Sequence, residues 1–247
     1  MTGTAIIEAQ STLPANINEM FKQDVEALQG RLLAPSGDKI KIDNKKFILP
    51  GGTTLDYLDV VIVDFVYANR LHLTPYKKGV ITPPDCFATN PESTALAPSP
   101  KSPSIKSKSC TGSEQNQFGT ALQGGGKACQ NRVLIALLFS DAKVDTPFVI
   151  LDISPTAAKG FSTYVDSVKN ALGRPPYGVF TKIVCNPEKK EDVATFSEPQ
   201  KIDDAAFIMM VRGRQGEART RLMTDPNVEA FTPANESKLQ PARRRRA

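Results

Sequence analysis

Four cysteines and a single histidine hold most of this chain's capacity for metal or nucleophilic chemistry: Cys86, Cys110, Cys129, Cys185 and His72. Zinc takes four ligands in a tetrahedron, and thiolates are the usual protein donors in structural sites. Cys86, Cys110 and Cys129 fall in one segment that has little apolar content of its own, the kind of segment a metal would staple. The expected C-x-x-C pair is absent, because three residues after Cys110 stands Ser113, a poor zinc ligand. Two readings of the three thiols stay open: a ligand set completed by water or His72, or unrelated loop cysteines. Cys185 sits in a strand pattern and shares a face with Val179 and Ile183 by alternation, which points to core packing. His72 reads as a surface or packed residue.

Other chemistries lack their partners. Asp56, Asp59 and Asp64 crowd one strand pattern, as a two-metal nuclease would need, but no further acidic motif or lysine follows at useful spacing. One histidine without a serine or cysteine partner does not make a triad. The glycines at 124–126 precede Lys127, yet neither a G-K-[ST] motif nor a strand-loop-helix surrounds them, so a phosphate loop is not indicated. No enzymatic activity is expected.

The elements that would position these residues follow from periodicity. Ile17, Met20, Phe21, Val25 and Leu28 recur at helical spacing and Gly30 closes the pattern. Strand patterns cover residues 39–43 and 46–49, a Pro50-Gly-Gly turn follows, and a long valine- and aromatic-rich strand starts at Leu58. From Thr74 to Gln130 proline, serine, glycine and lysine dominate. A structureless loop of that length in a compact domain needs a function or a staple. Strand patterns resume at 132–139 and 147–154. Ser154 as N-cap, Pro155 at the first helical position and Gly173 at the end bracket a helix with Phe161, Tyr164, Val165, Val168 and Leu172 on its apolar face. Strands at 177–185 and 192–199 and a last helix over 202–223 complete the series.

One helix between the third and fourth main strands is the order of an OB barrel. The expected fold class is therefore α+β, mainly β: an OB-like barrel with flanking helices and a long cysteine-containing insertion. The alternative is a generic α+β sheet with helices on one side. The domain reading is an N-terminal helical segment (1–35), an OB-like domain (36–223) carrying the insertion (74–131), and a disordered basic tail (224–247).

At 247 residues the chain can bury a substantial core. Its N-terminus lacks a secretory pattern and no apolar run reaches membrane-spanning length, so a cytoplasmic protein with reduced thiols is expected. The net charge of +5 is unevenly spread. Residues 74–132 carry a net +4 and the run Arg243 to Arg246 another +4, leaving the remainder acidic. Such concentration favours a localised contact with a polyanion.

The pieces FVYANR, PPDCFATNP, NQFGT, GGGKAC and DISPTAAKGFSTYVDSVKNALGRPPYGVFTKI together resemble a family of tailed-phage single-stranded-DNA-binding proteins, over roughly residues 13–223. The resemblance implies an OB-like core with a zinc-type cysteine insert, and a role in phage DNA replication or recombination in the host cytoplasm. In that pattern four cysteines hold the metal. Cys86, Cys110 and Cys129 match three positions and Ser113 occupies the fourth, so Zn2+ is an expectation resting on three thiolates. Members often end in an acidic tail that recruits replication or recombination proteins, whereas this chain ends in PARRRRA.

Single-strand binding needs cations for phosphates and aromatic faces for bases. Candidates are Phe65, Tyr67 and Arg70 on the long strand, Tyr76 and Lys77 just beyond it, Lys45 and Lys46 beside the preceding strand, and Phe118, Lys127 and Arg132 in and after the insertion. Each has a plainer alternative: strand aromatics are commonly core, and flanking lysines guard a sheet edge. A structural or interaction module binding a protein partner, or a strand-annealing factor, are the competing functions.

Overall fold

A computed structural model describes residues 17, 20, 38–75, 82–122 and 124–225. The chain divides into two units, Met1–Gly37 and Asp38–Ala247. In the first, Ile17 and Met20 are helical; the rest of the expected N-terminal helix, the loop residues Tyr76, Lys77 and Lys78, and the basic tail lie outside the described residues.

The second unit is a mixed α+β fold dominated by one strongly curled sheet. Its strands are β1 (Lys39–Asp43), β2 (Lys46–Ile48), β3 (Thr54–Leu55), β4 (Tyr57–Leu71), β5 (Cys86–Asn90), β6 (Cys129–Phe139), β7 (Val149–Ile153), β8 (Val179–Cys185) and β9 (Ala194–Lys201). The helices are α1 (Pro155–Leu172), α2 (Ala205–Gly213) and α3 (Gln215–Leu222). Strand order is β3-β2-β1-β7-β6-β4-β8-β9. Every pairing is antiparallel except β1 with β7. Thus β4, β6 and β7 form a meander, α1 follows, and β8 returns to β4 with β9 hairpinned outside it.

The long strand β4 organises the sheet. One edge pairs with β6 from Val60 to Leu71; the other is divided, with β8 along residues 57–61 and β5 along residues 67–71. A bulge between Ile62 and Asp64 shifts the register, so even-numbered residues before it and odd-numbered residues after it share one face. Helix α3 braces the bulge: Gln215 Nε2 donates to the Val63 carbonyl at 3.1 Å and Arg219 Nε to Asp64 Oδ2 at 2.9 Å.

Both faces of the sheet are buried, so its central strands read as nearly continuous apolar runs. On one face Val60, Ile62, Ile135, Leu137 and Leu151 pack with Ala157, Phe161, Tyr164 and Val168 of α1. On the other, Val61, Val66, Leu134, Leu138 and Ile150 pack with Val211 of α2 and with Ala218 and Leu222 of α3. Helices on both faces exclude the expected alternative of a sheet covered on one side.

Helix α1 forms where its signals predict. Ser154 Oγ accepts from the Ala157 N–H at 3.4 Å, Pro155 occupies the first turn, and Gly173 ends the helix at φ 64°. The apolar stripe at 157, 161, 164 and 168 then faces the sheet. Its Phe161 ring meets Phe65 edge-on, with centroids 5.0 Å apart, and the buried hydroxyls of Tyr164 and Thr181 pair at 2.8 Å.

Two expectations require correction. The segment from Thr74 to Gln130 contains a strand, β5, and its last residues, Cys129 and Gln130, already belong to β6. Only five residues long and bounded by prolines, β5 has no readable period; it forms because β8 leaves half an edge of β4 open. The single last helix is two, α2 and α3, broken between Gly213 and Gln215. Arg214 at the break donates to the Thr146 carbonyl at 2.6 Å and lies over the Phe148 ring, 4.1 Å from its centroid.

Candidate functional site

Hydrogen bonds and a small apolar nucleus organise the described part of the insertion. Ser102 Oγ accepts from the Phe87 N–H at 3.0 Å and donates to the Phe87 carbonyl at 3.1 Å, completing the open edge of β5. Ala88, Leu96 and Cys110 bury together against Tyr67. The Cys110 carbonyl accepts from Asn116 Nδ2 at 3.0 Å and from the Ser113 N–H at 3.4 Å, which tucks Ser113 into a buried turn.

This packing leaves a cleft of about 510 Å³ between the insertion, the ends of β4 and β6, and the first turns of α1. The sheet supplies Tyr67, Asn69 and Asn131; the insertion supplies Leu96, Asn116 and Lys127; helix α1 supplies Lys159. The bulge in β4 is what turns Tyr67 and Asn69 toward the α1 face. Asn69 pairs directly with Asn131 across β4 and β6, so their side chains share that face.

Two stretches of the insertion pair with each other: Phe118 bridges to Lys127, and the Gly119 N–H donates to the carbonyls of Gly125 and Gly126 at 3.1 and 2.9 Å. Gly119 has φ 86°, which a side chain would strain. The Phe118 ring is 81% exposed, the most exposed large apolar side chain among the described residues. Lys127 Nζ stands 5.1 Å from the centroid of that ring and donates to Asn116 Oδ1 at 3.3 Å. One lysine thus joins an exposed aromatic face to the cleft.

Arg70 and Arg132 lie by register on the other face of the sheet, where both grip Asp152 on β7. Arg70 Nη1 donates to Asp152 Oδ2 and Arg132 Nε to Asp152 Oδ1, each at 2.6 Å. Burial opposes ionisation of Asp152, but the two guanidiniums and their hydrogen bonds outweigh it and lower its pKa. Burial lowers the pKa of nearby Lys39 and His72, and the Arg70 charge adds to the effect on both. With two arginines on one carboxylate, this strip retains positive charge.

The remaining predicted contacts serve packing or local pairing. Phe65 is wedged between Tyr67 and Phe161, with centroids at 6.1 and 5.0 Å, so its ring belongs to the core. Lys45 Nζ is held by the β8–β9 connection: it donates to the carbonyl of Lys189 at 2.7 Å and to that of Glu191, and lies 3.6 Å from Asp192. Lys46 pairs with Asp56 at 3.1 Å on the surface. Asn131, Asn116 and Lys159 were not among the expected site residues. Lone amides and a helix-surface lysine carry no pattern, and only the approach of the insertion to α1 gathers them.

Cys86 and Cys129 both pair with Leu71, from opposite edges of β4. Burial, then the neighbouring Cys110 and Cys86, push the Cys129 thiol up to about 12. Cys110 is also raised by burial and by Cys86, against a hydrogen bond from Asn69. Burial takes Cys185 up to about 11, in keeping with its core position. Among the described residues no three His, Cys, Asp or Glu side chains are grouped so as to hold a metal ion. Cys110 and Cys129 are buried, and Cys86 is half-buried.

No helix among the described residues is long and apolar enough to cross a membrane. Comparison with known proteins returns no matching family model, no matching curated protein and no matching solved structure.

Proposed function

We propose that this protein binds single-stranded DNA with little sequence preference, in the replication or recombination of a tailed phage inside its host cell. The observation that carries the reading is Phe118, an aromatic ring left in solvent beside Lys127, a lysine that also lines the cleft. A ring so exposed contributes little to folding, whereas base stacking on an aromatic is worth about 1–3 kcal/mol per base. Lys127 and Lys159 supply cations for the adjoining phosphates, and Tyr67 a second aromatic wall. Binding rather than catalysis is the activity proposed.

Strand connectivity supports an OB-like reading of the core. The meander β4-β6-β7, a helix, and a β8–β9 hairpin returning to β4 follow the OB order, with β1 occupying the β7 edge where a closed barrel would place β9. Were zinc to bind, Cys86, Cys110 and Cys129 would hold it with water or His72, after side-chain rearrangement; it would brace the insertion and take no part in chemistry. Titration of oligo-dT over a salt series, with zinc quantified on the same preparation, tests both points. Absence of salt-sensitive binding overturns the reading; faster pairing of complementary strands would make the protein an annealing factor.

A further inference from the structure

The inner wall of the cleft carries a feature that phosphate tracking does not explain. The Oδ1 atom of Asn131 is buried without a hydrogen-bond partner, the only such side-chain atom among the described residues. Leaving a buried acceptor unsatisfied is costly and rare in folded proteins, so this atom calls for a partner. The neighbouring Asn116 amide is committed: it accepts from Lys127 and donates to the Cys110 carbonyl.

An orphan acceptor selects for a donor. Phosphate oxygens carry no proton at neutral pH and cannot satisfy a carbonyl oxygen, so the inner cleft is not shaped for the backbone of a nucleic acid. Each of the four bases presents an N–H on its pairing edge. A volume of about 510 Å³ falls within the range of small-ligand pockets.

Resting on the single-strand-binding reading above, we propose that the cleft takes one unpaired nucleobase. Its N–H edge donates to Asn131 Oδ1, its ring lies against Tyr67, and its flanking phosphates meet Lys127 and Lys159 at the rim. A duplex hides that edge in base pairs, so the contact selects single strands over double strands. It also leaves sequence unread, because all four bases can donate.

Thymine gives a clean test, since its ring N3–H is its one donor. Affinities of the full chain for oligo-dT and for the same oligomer built from N3-methylthymidine are compared, for the wild type and for Asn131→Ala. The wild type is expected to bind the methylated oligomer roughly tenfold more weakly, and Asn131→Ala to bind both alike. Equal wild-type affinities, with salt-sensitive binding intact, overturn the base pocket while leaving single-strand binding in place. A penalty on methylation that Asn131→Ala keeps in full also overturns it, because the methyl group would then act elsewhere. Failure to bind either oligomer overturns the function itself.

Discussion

Arg70 and Arg132, on adjacent strands, close on the two oxygens of a single carboxylate, Asp152, each at 2.6 Å. The side chains are 18%, 21% and 14% exposed, so the triad is held largely out of water. It ties three consecutive strands of the meander together, and its removal would leave two guanidiniums facing each other unneutralised. Asp152→Asn is expected to destabilise the fold by about 2–3 kcal/mol, discounted for partial exposure from the cost of breaking a fully buried pair. Urea denaturation at neutral pH measures it.

The same carboxylate sets a pH dependence. Its pKa is lower in the folded protein than in the unfolded chain, where a free aspartate titrates near 3.9. Its stabilisation is therefore complete above that value and is lost as pH falls through the folded pKa. Urea midpoints measured from pH 6 downward should hold steady and then drop below about pH 4. In Asp152→Asn this component of the acid loss should be missing, and an unchanged acid limb would argue that other carboxylates govern it.

Phe118→Ala separates binding from folding. With the ring 81% exposed, the melting temperature should barely move, since exposed substitutions usually fall within about 0.5 kcal/mol. Oligo-dT affinity should fall about tenfold, the lower range of a lost stacking contact. A large drop in melting temperature would assign the ring to structure.

Cations at the cleft rim should register in the salt dependence. Lys127→Gln and Lys159→Gln are each expected to reduce the slope of log K against log salt by about 0.7, the counterion release for one single-strand phosphate. A fall in affinity at unchanged slope would mean that the lysine acts through its neighbour, as Lys127 could through the Phe118 ring 5.1 Å away.

Thiol reactivity should follow burial and ionisation. Cys86 is half-buried, while Cys129 and Cys185 are buried with thiols pushed up to about 12 and about 11. At pH 8 those two hold almost no thiolate, the reactive form. Maleimide labelling read by peptide mass spectrometry should mark Cys86 first, and Cys129 and Cys185 only after denaturation. Early labelling of Cys129 would overturn its burial.

Local signals in the chain were strong where one segment suffices to determine a structure. Ser154, Pro155 and Gly173 delimit α1 because capping and backbone restriction act within a few residues. The alternation of Val179, Ile183 and Cys185 placed the cysteine inside because a strand repeats every two residues. Phe65 and Tyr67 were legible as sharing a face, yet one is packed against Phe161 and the other lines the cleft. Alternation orders residues along a strand but says nothing of where on the facing layer each one lands.

Composition and short-range pattern thus determined the class of fold, the bounds of most elements and the concentration of positive charge. Tertiary structure decided the bulge at Ile62 and Asp64, whose register shift brings Tyr67 and Asn69 to the α1 face. It decided that β5 would complete the edge of β4, that Asp152 would neutralise part of the Arg70 and Arg132 charge, and that Lys45 would be held by loop carbonyls. It also brought Asn131 beside a cleft with its oxygen unpaired. These outcomes depend on which distant strand or loop supplies the partner for a hydrogen bond or a charge, and that pairing forms only when the whole sheet does.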